Sequence, residues 1–351
     1  MSLEWLKKPV HSIDNVARQD ANARQAILTK PAGSLGMLET LAVQFSAWQG
    51  TIKPELDRVH ISIFAADHGV AEEGVSAFPQ VVTGEMVKNF VCGGAAISVL
   101  AKENKASLEI IDVGVKSLPE LDNVINANVA NATQNIAKND AMDAEQLQRA
   151  LQVGKDAAER AKESHTQLFI GGEMGIANTT SATAMSCQLL GFLGITEMTG
   201  AGTGLDQAGI KHKAEVITSI LARYNNTFGK DTNPLTVLRV MGGFEIAALS
   251  AAYIRCGQLG IPVLVDGFIT TAAALLAIKM NKGVEQWMIF SHCSAESGHT
   301  KILAALGVKP LLNLEMRLGE ASGAAMVIPV IKHALALHNN MATFAEAEVS
   351  S

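Results

Sequence analysis

Two glutamates lie among glycines and other small residues: Glu173 in the run Gly171-Gly172-Glu173-Met174-Gly175-Ile176-Ala177-Asn178-Thr179-Thr180, and Glu320 in Arg317-Leu318-Gly319-Glu320-Ala321-Ser322-Gly323. A carboxylate flanked by small residues can be approached by a substrate ring, and partial burial raises its pKa toward the range of a useful base. Glu320 immediately precedes a long apolar helical pattern, so it reads equally as a helix-start glutamate favoured by the dipole. The glycines around Glu173, with Asn178 and Thr179 behind them, suit a different task. Glycines such as Gly172 and Gly175 let backbone approach a phosphate, and free N–H groups at a helix start point at the anion. A second run, Thr199-Gly200-Ala201-Gly202-Thr203-Gly204, supplies Gly202 and Gly204, and Lys213 in the helical pattern that follows can neutralise a phosphate. Neither run spells GxGxxG or carries GK[ST], which favours a single phosphate over a dinucleotide or triphosphate. The competing reading is that these glycines only make turns. A negative Glu173 beside a phosphate needs a cationic or hydroxylated neighbour, such as a ribose.

Other constellations carry less. His292-Cys293-Ser294-Ala295-Glu296-Ser297-Gly298-His299 has no zinc spacing, and Ser294 before Glu296 reads as a helix cap. Asp67-His68 lacks a third ligand, so no metal is expected. A Ser-His-Asp hydrolase reading fails for want of a GxSxG elbow.

The elements that must hold these residues alternate in type. β-rich runs are expected at Val59–Ala66, Leu108–Gly114, Gln167–Gly171, Pro262–Asp266, Trp287–His292 and Lys309–Leu314. Helical patterns are expected at Gly84–Lys102, Ala144–Glu163, Gln207–Tyr224, Phe244–Gly257 and Ile269–Lys279, with Pro234–Met241 more helix than strand. This alternation predicts an α/β protein: a Rossmann-like three-layer fold with a mostly parallel sheet. Residues 1–49 read as two helices and Ser322–Ala347 as one or two more, kinked at Pro329. The two termini are expected to form a small helical subdomain (1–49 with 321–351) beside a catalytic core (50–320). Residues 117–143 read as an irregular excursion. Most expected strands empty into polar or small residues, among them Ala66-Asp67-His68-Gly69, Gly171-Gly172-Glu173, Asp266-Gly267 and Ser291-His292. Ligands in open parallel sheets sit beyond the carboxyl ends of the strands. The site is therefore expected at that edge.

Composition narrows the class. With 48% hydrophobic and 18% charged residues the chain can bury a large core, and 5% aromatic content leaves the packing to aliphatic side chains. A net charge of 28 − 34 = −6 without a basic stripe argues against nucleic acid as a partner. The start, MSLEWLKKPV, lacks the apolar stretch of a signal peptide, and no uninterrupted apolar span reaches membrane length. Four scattered cysteines without a CxxC pair suggest reduced thiols and a cytoplasmic location.

Ten stretches, in order, resemble one family: KPAGSLGMLE (30–39), ADHGVAEEGVSAFPQ (66–80), NFVCGGAAI (89–97), DVGV (112–115), GGEMGIANTTSA (171–182), TGAGTGLD (199–206), GGFEIAAL (242–249), DGFITTAAAL (266–275), SHCSAESGH (291–299) and MRLGEASGAA (316–325). The family is the nicotinate-nucleotide–dimethylbenzimidazole phosphoribosyltransferases of cobalamin lower-ligand synthesis. The resemblance implies transfer of the phosphoribosyl group of nicotinate mononucleotide to 5,6-dimethylbenzimidazole, a homodimer, and no cofactor. It implies that Glu320 is the catalytic base and Glu173 the second active-site glutamate. Ser76, Phe78 and Gln80 then belong to the wall of the base pocket, with Leu318 a further wall. Gly172, Gly175, Asn178, Thr179, Gly202, Gly204, Lys213, Ser291 and Ser294 belong to the nucleotide side. Three positions depart from the family pattern: Ala32, Met37 and Ala177, the last putting a methyl where the loop has glycine. A hydrolase that uses water as acceptor, and a non-catalytic phosphoribosyl-binding protein, are the readings to be distinguished from transfer.

Overall fold

The computed structural model describes residues 3–191 and 194–350. In chain order the elements are α1 (Asn15–Ile27), α2 (Met37–Gln49), β1 (Val59–Ala66), α3 (Val81–Cys92), α4 (Ala96–Asn104), β2 (Ser107–Gly114), β3 (Val124–Asn126), α5 (Ala144–Glu163), β4 (Leu168–Met174), α6 (Asn178–Leu190), α7 (Ile195–Met198), α8 (Gln207–Phe228), α9 (Pro234–Met241), α10 (Phe244–Leu259), β5 (Val263–Val265), α11 (Phe268–Met280), β6 (Met288–Phe290), α12 (Ser297–Leu306) and α13 (Ser322–Asn340).

The strands form one sheet in the order β3-β2-β1-β4-β5-β6, and every neighbouring pair is parallel. This is the doubly wound order, whose direction of winding reverses between β1 and β4. Alternate side chains face opposite layers. Ile61, Ile63 and Ala65 of β1, with Leu168 and Ile170 of β4, pack under α2, α3, α4 and α13. Phe64, Ala66, Ile111 and Phe169 face the other way, toward α5, α6 and α8–α11. Helix α10 is buried almost all round because it lies between the sheet and α5.

The terminal helices pack on each other and close one face of the sheet. Helix α13 is held at both ends. The Asp266 carboxylate, just beyond β5, accepts the Ala324 N–H at 2.6 Å. At the far end, Arg24 of α1 donates to the carbonyls of His338 (2.7 Å) and Asn339 (3.0 Å), a cation on the negative end of the helix. Pro329 lies inside α13, which runs on as one helix.

Four details differ from the sequence reading. The helix expected over Gly84–Lys102 is two helices, interrupted at Gly93-Gly94, where Gly93 takes φ 81°. Lys309–Leu314 is not a strand; a single bridge joins Leu312 to His292, and Pro310 has no N–H to extend a ladder. The excursion at 117–143 contains the three-residue edge strand β3. Strand β4 runs on through Met174, so Gly171 and Gly172 belong to the ladder rather than to a loop.

Candidate active site

A cavity of about 480 Å³ opens beyond the carboxyl ends of β4 and β5, within the usual size of small-molecule sites. Glu173, Asp266, Glu296 and Glu320 line it, together with Arg317. Its apolar wall includes Val75, Val82, Met86, Met174 and Phe268. At the mouth stand Phe78, 52% exposed, and Leu318, 56% exposed, two large apolar side chains left about half uncovered by the described residues.

Glu320 owes its position to the backbone. Gly319, Glu320 and Ala321 all have positive φ (84°, 61° and 68°), a left-handed turn that feeds directly into α13. The turn drops the Glu320 carboxyl to 5% exposure. One of its oxygens accepts the Ile97 N–H, while Oε2 has no partner among the described residues. Burial pushes its pKa up to about 7, against the lowering effect of the Ile97 N–H. Glycine is required at 319, because a Cβ there would collide with Oε1 of Glu173. The two glutamates of the sequence reading therefore meet across Gly319.

Glu173 is the last residue but one of β4 and is 7% exposed. Asn178, at the start of α6, donates its Nδ2–H to Oε2 at 2.5 Å. Burial, aided by the nearby carboxylates Glu245, Asp266 and Glu320 and opposed by the Asn178 amide, raises Glu173 to about 8. Asp266 is likewise raised by burial, to about 7, although the N–H groups of Ala324, Gly267, Ala321 and Gly323 lower it. Three buried carboxyls thus hold protons near neutral pH around one cavity.

The opposite wall begins at the N-terminus of α6, which, like most of the described helices, has no side-chain cap, and whose first residues Asn178 and Thr179 line the cavity. Behind them Lys213 is fully buried, its Nζ donating to Thr179 Oγ1 at 2.6 Å and to the Gly200 carbonyl at 3.4 Å. Burial lowers the Lys213 pKa to about 8, with the Glu296 carboxylate acting the other way. Gly202 lies over the ammonium: a Cβ there would stand 3.1 Å from Nζ.

Of the residues singled out in the sequence, Ser76, Phe78, Glu173, Gly175, Asn178, Thr179, Gly202, Leu318 and Glu320 line the cavity. Ser76 Oγ pairs with Thr203 Oγ1 at 3.0 Å, tying the two loops together. The rest lie outside the lining. Gln80 donates its amide to the His68 carbonyl at 2.6 Å, Ser291 Oγ donates to the Asp266 carbonyl at 3.2 Å, and Ser294 Oγ accepts the Glu296 N–H at 3.3 Å. Gly172 packs against Ile63 and Ala321, and Gly204 faces open space. Sequence reasoning did not name Asp266, Glu296, Arg317 or Thr203 as site residues. For Asp266 a signal existed, a carboxylate followed by glycine at a strand end. Ala177 has φ 75°, the conformation that explains why glycine was expected there. Beneath Gly175, His68 Nε2 and Glu245 Oε1 meet at 2.7 Å, both fully buried, with His68 Nδ1 3.0 Å from Ser181 Oγ. That Ser-His-Glu line lies outside the cavity lining. No cluster of three or more metal-ligating side chains occurs among the described residues, and no described helix is long and apolar enough to cross a membrane.

A family profile described as phosphoribosyltransferase matches residues 10–349. The nicotinate-nucleotide–dimethylbenzimidazole phosphoribosyltransferase of Xanthomonas euvesicatoria pv. vesicatoria is 55% identical over 351 residues, covering 100% of this chain and 99% of that protein. The protein of the same name from Pseudomonas putida KT2440 is 53% identical over the same shares of both chains. Among solved structures, CobT from Thermus thermophilus superposes with a TM-score of 0.90 at 41% identity, over 95% of this chain and 99% of that one. A glutamate-lined cavity beyond the carboxyl ends of the strands and end-to-end likeness of this degree agree: the chain belongs to the nicotinate-nucleotide–dimethylbenzimidazole phosphoribosyltransferase family.

Proposed function

We propose that the protein transfers the 5-phosphoribosyl group of nicotinate mononucleotide to 5,6-dimethylbenzimidazole, giving α-ribazole 5′-phosphate and nicotinate. The observation that carries this reading is the unpartnered Oε2 of buried Glu320, on an apolar cavity that faces the start of α6 and Lys213.

The chemistry follows from the charges. Nicotinate leaves from a cationic pyridinium, taking the electron pair of the C1′–N bond, so no acid is needed for its departure. The incoming base must shed its ring N–H proton as its other nitrogen bonds to C1′. Glu320, raised by burial to about 7 and so ionised in about half of the molecules there, accepts that proton; general base catalysis of this kind contributes ~10²–10⁴-fold. Positive charge grows on the ribose at C1′ as in glycoside cleavage, and Glu173, raised to about 8 and largely neutral at pH 7, serves by fixing a ribose hydroxyl. Attack from the face opposite the leaving ring turns a β into an α linkage. Gly175, Asn178, Thr179 and Gly202, backed by Lys213, take the phosphate. Phe78, Met174 and Leu318 enclose the flat acceptor and keep water, the competing nucleophile, away. Ser76 and Thr203 hold that wall in place. We further propose a cytoplasmic homodimer: the four unpaired thiols suit a reducing compartment, and the family resemblance implies the dimer.

Chromatography of nicotinate mononucleotide incubated with and without the base tests the transfer. The expected result is α-ribazole 5′-phosphate and nicotinate in equal amounts with the base, and little nicotinate without it. Nicotinate release at the same rate in both would instead mean hydrolysis.

A further inference from the structure

Nicotinate mononucleotide has two anionic ends, the phosphate and the ring carboxylate, joined through a ribose and a cationic ring. The phosphate end is provided for by Lys213 and the start of α6. The carboxylate would enter a cavity lined by Glu173, Asp266, Glu296 and Glu320, all of which repel it when ionised. Among the described residues lining that cavity, Arg317 is the only one with a cationic side chain. It is exposed at the rim, three residues before Glu320 and just ahead of the left-handed turn at Gly319–Ala321, and it makes no hydrogen bond or ion pair within the described chain.

A guanidinium left unpaired beside four carboxyls is unusual, because a short rotation usually finds a partner. Its planar fork matches a carboxylate in two parallel N–H···O bonds, geometry that a carboxamide cannot reproduce. Leu318, the next residue, also lines the cavity and offers the ring an apolar surface next to the guanidinium. We propose that Arg317 is the specificity residue for the leaving group, pairing with the ring carboxylate of nicotinate mononucleotide and discriminating against the neutral carboxamide of nicotinamide mononucleotide. This rests on the transfer reaction proposed above.

The test compares kcat/KM for the two nucleotides, with dimethylbenzimidazole saturating, in the parent protein and in Arg317→Gln and Arg317→Lys. The parent should prefer nicotinate mononucleotide by about 10- to 100-fold, the scale of a charge-assisted pair. Arg317→Gln should erase that preference by raising KM for nicotinate mononucleotide, and Arg317→Lys should restore part of it. KM for dimethylbenzimidazole should not move. Equal losses with both nucleotides would assign Arg317 to the phosphate, and a rise confined to the KM of the base would assign it to the acceptor. Either result overturns the inference, as does an unchanged preference. A parent protein that forms no ribazole phosphate at all would instead sink the transfer reading.

Discussion

Replacing Glu320 with glutamine should separate the chemistry from the folding. The amide keeps an acceptor for the Ile97 N–H and fills the same space, but it cannot take a proton from the benzimidazole. Transfer should fall by at least ~10²-fold. Stability should move the other way. Burial lifts this carboxyl from an ordinary 4.5 to about 7. Between those values the folded protein holds a proton that the unfolded chain has released, so the contribution of Glu320 to stability is full below about pH 4.5 and is lost as pH rises to about 7. The difference corresponds to roughly 3 kcal/mol at ~1.4 kcal/mol per pH unit, and at 5% exposure little of it is screened by solvent. Unfolding entropy of ~2.1 cal/mol/K per residue over 351 residues turns this into about 4 °C. Glu320→Gln should therefore melt about 4 °C above the parent near pH 8.5, with most of the gap gone near pH 5. Glu173 and Asp266 titrate in both proteins and largely cancel in the comparison. Scanning fluorimetry at the two pH values, beside the chromatographic assay, measures both effects. Turnover within a factor of ten of the parent, or a melting gap that does not change with pH, would refute the reasoning.

Lys213→Met removes the buried ammonium behind Gly202 but keeps the aliphatic stem. KM for the nucleotide should rise by about 10- to 100-fold while KM for the base stays put, as initial-rate kinetics would show. Gly319→Ala forces a methyl onto the Glu173 carboxyl at a left-handed position. It should cost about 1–2 kcal/mol of stability by denaturant titration and lower kcat at least tenfold.

The sheet and most of its helices were legible because they obey strong local rules. α5 announces itself with Asp143 as N-cap and Gln146 closing a capping box, and the run 244–257 is apolar enough to be a buried helix. β1 is rich in β-branched and apolar residues and is buried along its whole length, as an interior parallel strand is. What escaped depends on tertiary placement. β3 is three residues long and exists only because β2 offers it an edge. Asp266 reads as an ordinary strand-end carboxylate until α13, far along the chain, sets its first N–H groups upon it. Arg317 and Glu296 carry no motif of their own, and only the folded chain brings them to one cavity. Gln80, Ser291 and Ser294 came from the resemblance, and in this fold each lies outside the lining and supports a backbone group. The two glutamates were findable because each stands among glycines and other small residues, where a ligand can come close.

The left-handed turn at Gly319–Ala321 makes the general base an extension of the final helix. Its aim is set by where α13 begins, and α13 is clamped from behind by Arg24 near the amino terminus. Damage at either extremity of the polypeptide, well away from the chemistry, would thus be transmitted along a rigid rod to the proton acceptor. An enzyme wired in this way can react only once its first and last segments have docked, which guards a half-made chain against squandering nucleotide.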